Sequence, residues 1–187
     1  VRRATALAHD RGWPLGIRGG GHNVAGHGTV EDGLVIDLGS LRTVTVDANT
    51  RMLSVGPGAT LGDVDRATEP FGLALPVGVV SQTGIAGLTL GGGMGWLVRK
   101  HGLTVDNLVA AEVVTAAGDL VRADETGNPD LLWGLKGGGG NFGVVTSFTY
   151  RAYPLGPQVY AGNLVYRRPA WRTAMQAFRD WTAELDE

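Results

Sequence analysis

Three clusters of glycine constrain any fold of this chain: Gly19-Gly20-Gly21, Gly91-Gly92-Gly93 with Gly95, and Gly137 to Gly140. Each lies between apolar runs. Consecutive glycines cost backbone entropy on folding, so they persist where a side chain cannot fit or where φ must be positive. Glycine makes up 31 of the 187 residues, well above the roughly 7% of an average protein. No short period and no Ser, Gln or Pro bias accompanies it, which removes collagen and disorder as explanations. Loops packed close to a ligand remain. Successive backbone N–H groups in such a loop can form a concave nest for an anion. The first cluster runs directly into His22 and Asn23. It reads as a phosphate cradle with an imidazole on its rim, and the three clusters together read as walls of a dinucleotide pocket.

The rest of the composition narrows the partners. The net charge is −2 with both signs spread along the chain and no basic block, so no nucleic-acid partner is expected. There are no cysteines, which removes disulfides, thiol chemistry and Cys-based metal sites. No run of about 18 apolar residues exists, so no membrane-spanning helix is expected. No signal peptide is visible, but the chain opens at Val1 inside a helical pattern and closes in another. It therefore reads as a fragment of a longer protein. The cytoplasm is the expected compartment, with secretion left open.

Apolar spacing predicts a helix over Val1–Arg11 stopped by Gly12, then a strand over Leu15–Arg18 entering the first glycine loop. That order suggests the second half of a β-α-β unit whose first strand is missing. Strands follow at Gly33–Leu38, Val44–Asp47 and Met52–Val55, the last two as a hairpin. Thr60 and Asp63 resemble a capping box for a helix ending near Thr68, ahead of Pro70. A short strand is expected at Leu73–Leu75, and a short helix starting near Thr83 and Gly84, whose N-terminus would favour an anion. A hairpin joins Asn107–Val114 to Asp119–Arg122. Asn128 and Pro129 start a helix, with Asn as cap, that runs to about Lys136. Val144–Tyr150 and Val159–Val165 read as strands and Ala170–Leu185 as an amphipathic helix, with a domain boundary at Pro154–Pro157. The fold class is α+β with mixed strands.

The common nucleotide motifs do not apply. GxxxxGK[ST] is absent. The one GxGxxG, at Gly138, Gly140 and Gly143, follows a helix and precedes a strand, the reverse of the dinucleotide fingerprint. The run Arg18-Gly19-Gly20-Gly21-His22-Asn23 instead resembles the flavin-attachment motif of the vanillyl-alcohol-oxidase, or PCMH-type, flavoproteins, and within them the berberine-bridge-enzyme-like branch. The likeness continues through Asp37-Leu38, Gly56-Pro57-Gly58, Ser81 to Gly87, Gly91 to Gly95, Asp106-Asn107 and Trp133 to Val145. It covers about Val1 to Tyr153. Each piece alone is weak; the ordered set is specific.

The resemblance implies a two-subdomain PCMH-type FAD-binding fold, truncated at both ends. Residues 1–153 would form the FAD-binding domain with its N-terminal strand missing, and residues 154–187 the start of a substrate-binding domain. FAD would lie between the subdomains. Cofactor contacts would come from Arg18, Gly19, Gly20, Gly21, His22 and Asn23 in the first wall. Pro76, Gly78, Ser81, Thr83, Gly84, Ala86, Gly87, Gly91 and Gly95 would supply the second, with Asn107 and Val145 beyond. The first loop and Ser81–Gly87 would hold the pyrophosphate. His22 matches the position that bonds covalently to the flavin 8α carbon. Relatives often add a cysteine link; the matching position here is Val80, so a single His22 link is expected.

The implied activity is an FAD-dependent oxidase that takes hydride from a small organic substrate and passes electrons to O2. A dehydrogenase and a non-catalytic flavin-binding module are the alternatives. The catalytic base would belong to the substrate domain, so none is named. His27 reads as a loop residue. His22, His27, Glu31 and Asp32 fit no metal-ligand spacing, so no metal is expected. Trp133 and Phe142 are expected in the core. The oligomeric state is not legible.

Overall fold

The computed structural model describes residues 1–156 and 158–185. The chain divides into two units, Val1–Gly156 and Pro157–Glu187. The expected boundary at Pro154–Pro157 ends on Pro157, which lies outside the described residues.

The first unit is built on a five-stranded antiparallel sheet, ordered β3 (Val44–Asp47), β4 (Met52–Val55), β8 (Val144–Arg151), β6 (Leu108–Val114) and β7 (Leu120–Asp124). The β3–β4 hairpin pairs Val44 with Val55 and Val46 with Leu53. β4 continues the register onto β8, Leu53 with Tyr150 and Val55 with Phe148. One face is therefore apolar by alternation. Leu53, Val55, Phe148 and Tyr150 on that face are fully buried. Helices α2 (Leu61–Thr68), α3 (Ile85–Leu90) and α5 (Pro129–Leu135) cover it with Leu61, Val64, Ile85, Leu90, Leu132 and Leu135. Inside this core the Tyr150 hydroxyl lies 2.7 Å from Thr89 Oγ1, so neither polar group is buried without a partner.

A smaller parallel sheet pairs β1 (Leu15–Arg18) with β2 (Leu34–Asp37), from Leu15–Leu34 to Arg18–Asp37. Helix α1 (Arg2–Arg11) precedes it and ends at Gly12, whose φ of 63° closes the helix in the left-handed region. Ile36 and Leu38 pack with Val114 and Val144, which joins this layer to the large sheet. β5 (Leu73–Ala74) and β9 (Tyr153–Pro154) form a short antiparallel ladder. α4 (Val98–His101) lies between the second glycine segment and β6.

Thr60 caps α2 as the spacing implies. Asp63 N–H donates to Thr60 Oγ1 at 3.3 Å, and Thr60 N–H donates to Asp63 Oδ2 at 2.9 Å. Arg42 and Arg66 also bind this carboxylate, at 2.7 and 3.1 Å. Burial opposes ionisation of Asp63, but the Thr60 N–H, the two guanidiniums and the Thr60 hydroxyl outweigh it. The carboxyl is held far below the usual range.

Five expectations need correction. Val159–Val165 forms no strand: Gly162 and Asn163 interrupt it, and it pairs with no edge among the described residues. Asn128 precedes α5 but does not cap it. It adopts φ 56°, and its amide donates to Arg122 O at 2.7 Å instead. Trp133 is 80% exposed, because Leu132 and Leu135 occupy the inward face of the seven-residue helix. Phe142 is 40% exposed, with its ring lying over Gly134 and Gly138 rather than in the core. In the second unit, helix α6 (Trp171–Ala183) is shorter than the expected Ala170–Leu185.

Candidate functional site

The first glycine wall begins where β1 ends. Arg18 is the last paired residue, and Leu38 N–H closes the ladder on Arg18 O at 2.8 Å. Gly21 turns the chain with φ 67°. The backbone N–H groups of Gly19 through Asn23 donate to no group among the described residues. Farther round, Asn23 braces its own loop: its carbonyl accepts from Gly26 N–H at 3.1 Å and its Oδ1 from His27 N–H at 3.3 Å. His22 is exposed and its ring makes no hydrogen bond among the described residues. Arg18 Nη2 and Nε bind Asp37 Oδ2 at 2.7 and 3.2 Å. The Arg18 hydrogen bond, with Gly39 N–H on the other oxygen, holds the Asp37 carboxyl below its usual range.

The second wall hangs on the start of α2. Leu61 N–H donates to Thr83 O and Gly62 N–H to Ser81 O, both at 2.9 Å, and Ile85 N–H donates to Ala59 O at 2.9 Å. Every leading N–H of α2 is thereby used inside the protein, as an N-terminus buried at such a junction requires. The next N–H groups along the second wall, on Ala86 and Gly87, have no acceptor among the described residues. Gly78 and Gly95 are packing glycines. A Cβ on Gly78 would stand 2.7 Å from Leu88 Cδ1, and one on Gly95 would run into the Val77 carbonyl. Gly91 ends α3. Pro76 leads into this segment and is buried.

The two walls meet backbone to backbone. A Cβ on Gly84 would lie 2.5 Å from Gly20 N and 2.6 Å from Gly20 Cα. A Cβ on Gly19 would lie 3.0 Å from Pro57 O. No side chain fits in this seam, and the unclaimed N–H groups lie on the two segments that form it. The third wall adjoins the second: the turn Gly139–Phe142 packs beside α3. The chain therefore gathers Gly19–Asn23, Ser81–Gly87 and Gly137–Gly140 into one region, although they are up to 121 positions apart in sequence. Neither loop segment of the seam contains an acidic residue, so the donors suit an anion such as a pyrophosphate.

Asn107 and Val145 are buried in the framework. Asn107 is 4% exposed and saturated: its amide donates to His101 O and Leu103 O at 3.0 and 2.9 Å, and its Oδ1 accepts from Tyr153 at 2.7 Å. The His101 ring stacks on Tyr153, centroids 3.9 Å apart. Asn107 thus has no hydrogen left for a ligand in this arrangement. Val145 sits inside β8, buried in the main core and paired with Val113. A cleft of about 450 Å3 lined by Asn107, Arg122, Lys136, Arg151 and Tyr153 contains none of the residues of the first two walls. Its lining sets Arg122, Lys136 and Arg151 beside Asp106, Asp124 and Glu125, a mixed-charge grouping with no sequence signal, because β7, α5 and β8 bring those residues together only in the fold. The Arg18–Asp37 pair was equally hidden: it depends on the parallel register of two strands.

Residues 1–124 match the family described as FAD binding domain. An uncharacterised FAD-linked oxidoreductase of Bacillus subtilis (strain 168) is 37% identical over 98% of this chain and 42% of its own length. A crystal structure of 6-hydroxy-D-nicotine oxidase from Arthrobacter nicotinovorans superposes with a TM-score of 0.81 at 36% identity, over 82% of this chain and 34% of that one. A xylooligosaccharide oxidase from Myceliophthora thermophila C1, solved with xylobiose, gives a TM-score of 0.78 at 38% identity, over 82% and 33%. The chain thus spans about two fifths or less of the relatives it resembles.

Proposed function

Because the chain belongs to the FAD-binding domain family, in its PCMH-type, berberine-bridge-enzyme-like group, we propose that it is the cofactor-holding part of an FAD-dependent oxidase. Residues 1–153 make up the FAD module and residues from 154 onward begin a substrate-binding domain. The observation that carries this reading is the Gly20–Gly84 seam flanked by unclaimed N–H groups.

Each part of the site then has a task. The N–H groups of Gly19 to Asn23 and of Ala86 and Gly87 bind the pyrophosphate. Gly20 and Gly84 keep the two walls close enough for both to reach it. Gly78, Gly91 and Gly95 shape the second wall, together with Pro76, Ser81 and Thr83. His22, exposed on the rim and without a hydrogen-bond partner among the described residues, supplies the imidazole for one covalent bond to the flavin. Val80 stands where relatives carry a cysteine, so that bond is single. Arg18 supports the loop from below. Asn107 and Val145 act one layer back, as structure behind the site.

When bound, FAD supplies hydride acceptance from a substrate C–H and the transfer of two electrons to O2; the protein supplies binding, orientation and tuning. The substrate is a small organic molecule. Two similar proteins are named for a hydroxylated nicotine and for xylooligosaccharides, which makes amines and sugars the first candidates here. The test is turnover of the full-length protein with alcohols, amines and sugars, coupled to peroxide detection. Peroxide in step with substrate oxidation supports an oxidase. Turnover with an artificial acceptor, but no peroxide from O2, would replace the oxidase with a dehydrogenase.

A further inference from the structure

We propose that Asp37 is a positioning residue for attachment of the flavin to His22, acting through the side chain of Arg18; this rests on His22 being the attachment point. The His22 ring makes no hydrogen bond among the described residues, and the N–H groups around it are unclaimed. Its place is therefore set by the loop backbone alone. That loop leaves at Gly19 and returns at Gly28, and the stem of Arg18 underlies both limbs. A Cβ on Gly21 would touch Arg18 Cδ at 3.7 Å, and one on Gly28 would touch Arg18 Cγ at 3.8 Å.

A long flexible side chain holds such a position only when its head is fixed. Asp37 fixes it. One carboxylate oxygen takes both Nε and Nη2 of Arg18 at 3.2 and 2.7 Å, and the other accepts Gly39 N–H at 2.9 Å. The pair closes the β1–β2 ladder, so the rigid sheet end is carried through the guanidinium to the loop. The pair is about half exposed on each side. Exposed pairs of this kind add little to stability, which leaves orientation as the role that explains it.

The step at stake forms one bond between an imidazole nitrogen and the flavin 8α carbon. The imidazole N–H and one 8α C–H hydrogen are lost with two electrons. O2 accepts both and leaves as hydrogen peroxide. The rate depends on how well the nitrogen faces the carbon, and a misplacement near 1 Å can cost on the order of 10²-fold.

The test mixes apo full-length protein with FAD and follows flavin fluorescence that stays with the polypeptide in a denaturing gel. Total bound FAD and the apo melting curve are recorded alongside. Asp37→Asn is expected to slow attachment on the order of 10²-fold, with total FAD and melting unchanged, and Asp37→Glu to recover part of the rate. The exchange Arg18→Asp with Asp37→Arg restores the ion pair but removes the stem beneath the loop, so it is expected to stay slow. Wild-type rates in Asp37→Asn, or full recovery in the exchanged pair, would overturn the proposal and reduce the pair to a strand staple. Absence of any adduct in the wild type would overturn the assignment of His22 itself, and this inference with it.

Discussion

Gly84→Ala isolates the contact on which the site depends. Gly84 has φ −72° and ψ 135°, a conformation alanine adopts freely. Any cost must then come from the added methyl. That methyl would sit 2.5 Å from Gly20 N and 2.6 Å from Gly20 Cα, whereas carbon contacts settle at about 3.5 Å or more. The seam must open by about 1 Å, and both sides are backbone. Overpacking of this kind costs about 1–3 kcal/mol. For a chain of this size each kcal/mol lowers the melting midpoint by roughly 2–4 °C. Gly87→Ala is the matched control for stability. It lies three residues on, inside α3, where a Cβ meets nothing within 4 Å outside the helix's own backbone. Alanine there should raise stability by about 0.5–1 kcal/mol through helix propensity. The assay is thermal and urea unfolding of the apo full-length protein, with FAD uptake measured in parallel. The two substitutions should move the midpoint in opposite directions, and Gly84→Ala should take up FAD far more slowly. If Gly84→Ala melts with the wild type and loads FAD at the same rate, the walls do not meet as described.

Other substitutions test the supports. Asp63→Ala removes the reciprocal half of the α2 capping box and two ion pairs, to Arg42 and Arg66, and should cost about 2 kcal/mol in urea unfolding. The folded Asp63 carboxyl is held below its unfolded value, so its contribution is complete above about pH 4 and is lost as the pH falls further. Unfolding curves for Asp63→Asn and the wild type should therefore draw closer as the pH falls below about 4 and converge only in stronger acid, well below about pH 3, where the folded carboxyl itself protonates. Tyr150→Phe strands the Thr89 hydroxyl in the core and should cost about 1–3 kcal/mol; adding Thr89→Val should recover part of that in the same unfolding assay. Asn107→Ala breaks three partly buried hydrogen bonds and should lower stability by about 2–4 kcal/mol. Loss of FAD binding with unchanged stability would instead make Asn107 a ligand.

Local signals in the sequence located most of the framework. Gly12, the Thr60–Asp63 box and the Val44–Val55 hairpin act over a few residues, so their spacing was enough to place them. Glycine stands out in the sequence where a Cβ is excluded, as at Gly20 and Gly84, or where φ is positive, as at Gly21, Gly137 and Gly139; a hydrogen-bond partner leaves no such mark. What failed depended on distant neighbours. Val159–Val165 has strand-forming residues but no edge to pair with among the described residues. Trp133 is outside because Leu132 and Leu135 already fill the inner face of a short helix. Asn128 had the residue type of a cap, but the carbonyl of Arg122 claims its amide. Asp37 and Arg18 are 19 positions apart and meet only through the parallel register of β1 and β2. The hydrogen bond from Tyr153 to Asn107 likewise joins residues 46 positions apart and has no sequence signal.

The central claim is that the Gly19–Asn23 loop holds FAD and that His22 bonds to it. Acid denaturation of the purified full-length protein tests this most directly, with His22→Ala treated in the same way. The yellow chromophore and the mass of FAD should stay with the wild-type polypeptide and leave with the variant. Flavin released from the wild type would contradict the covalent role of His22. A protein that never binds flavin would contradict the reading of the glycine walls as an FAD cradle.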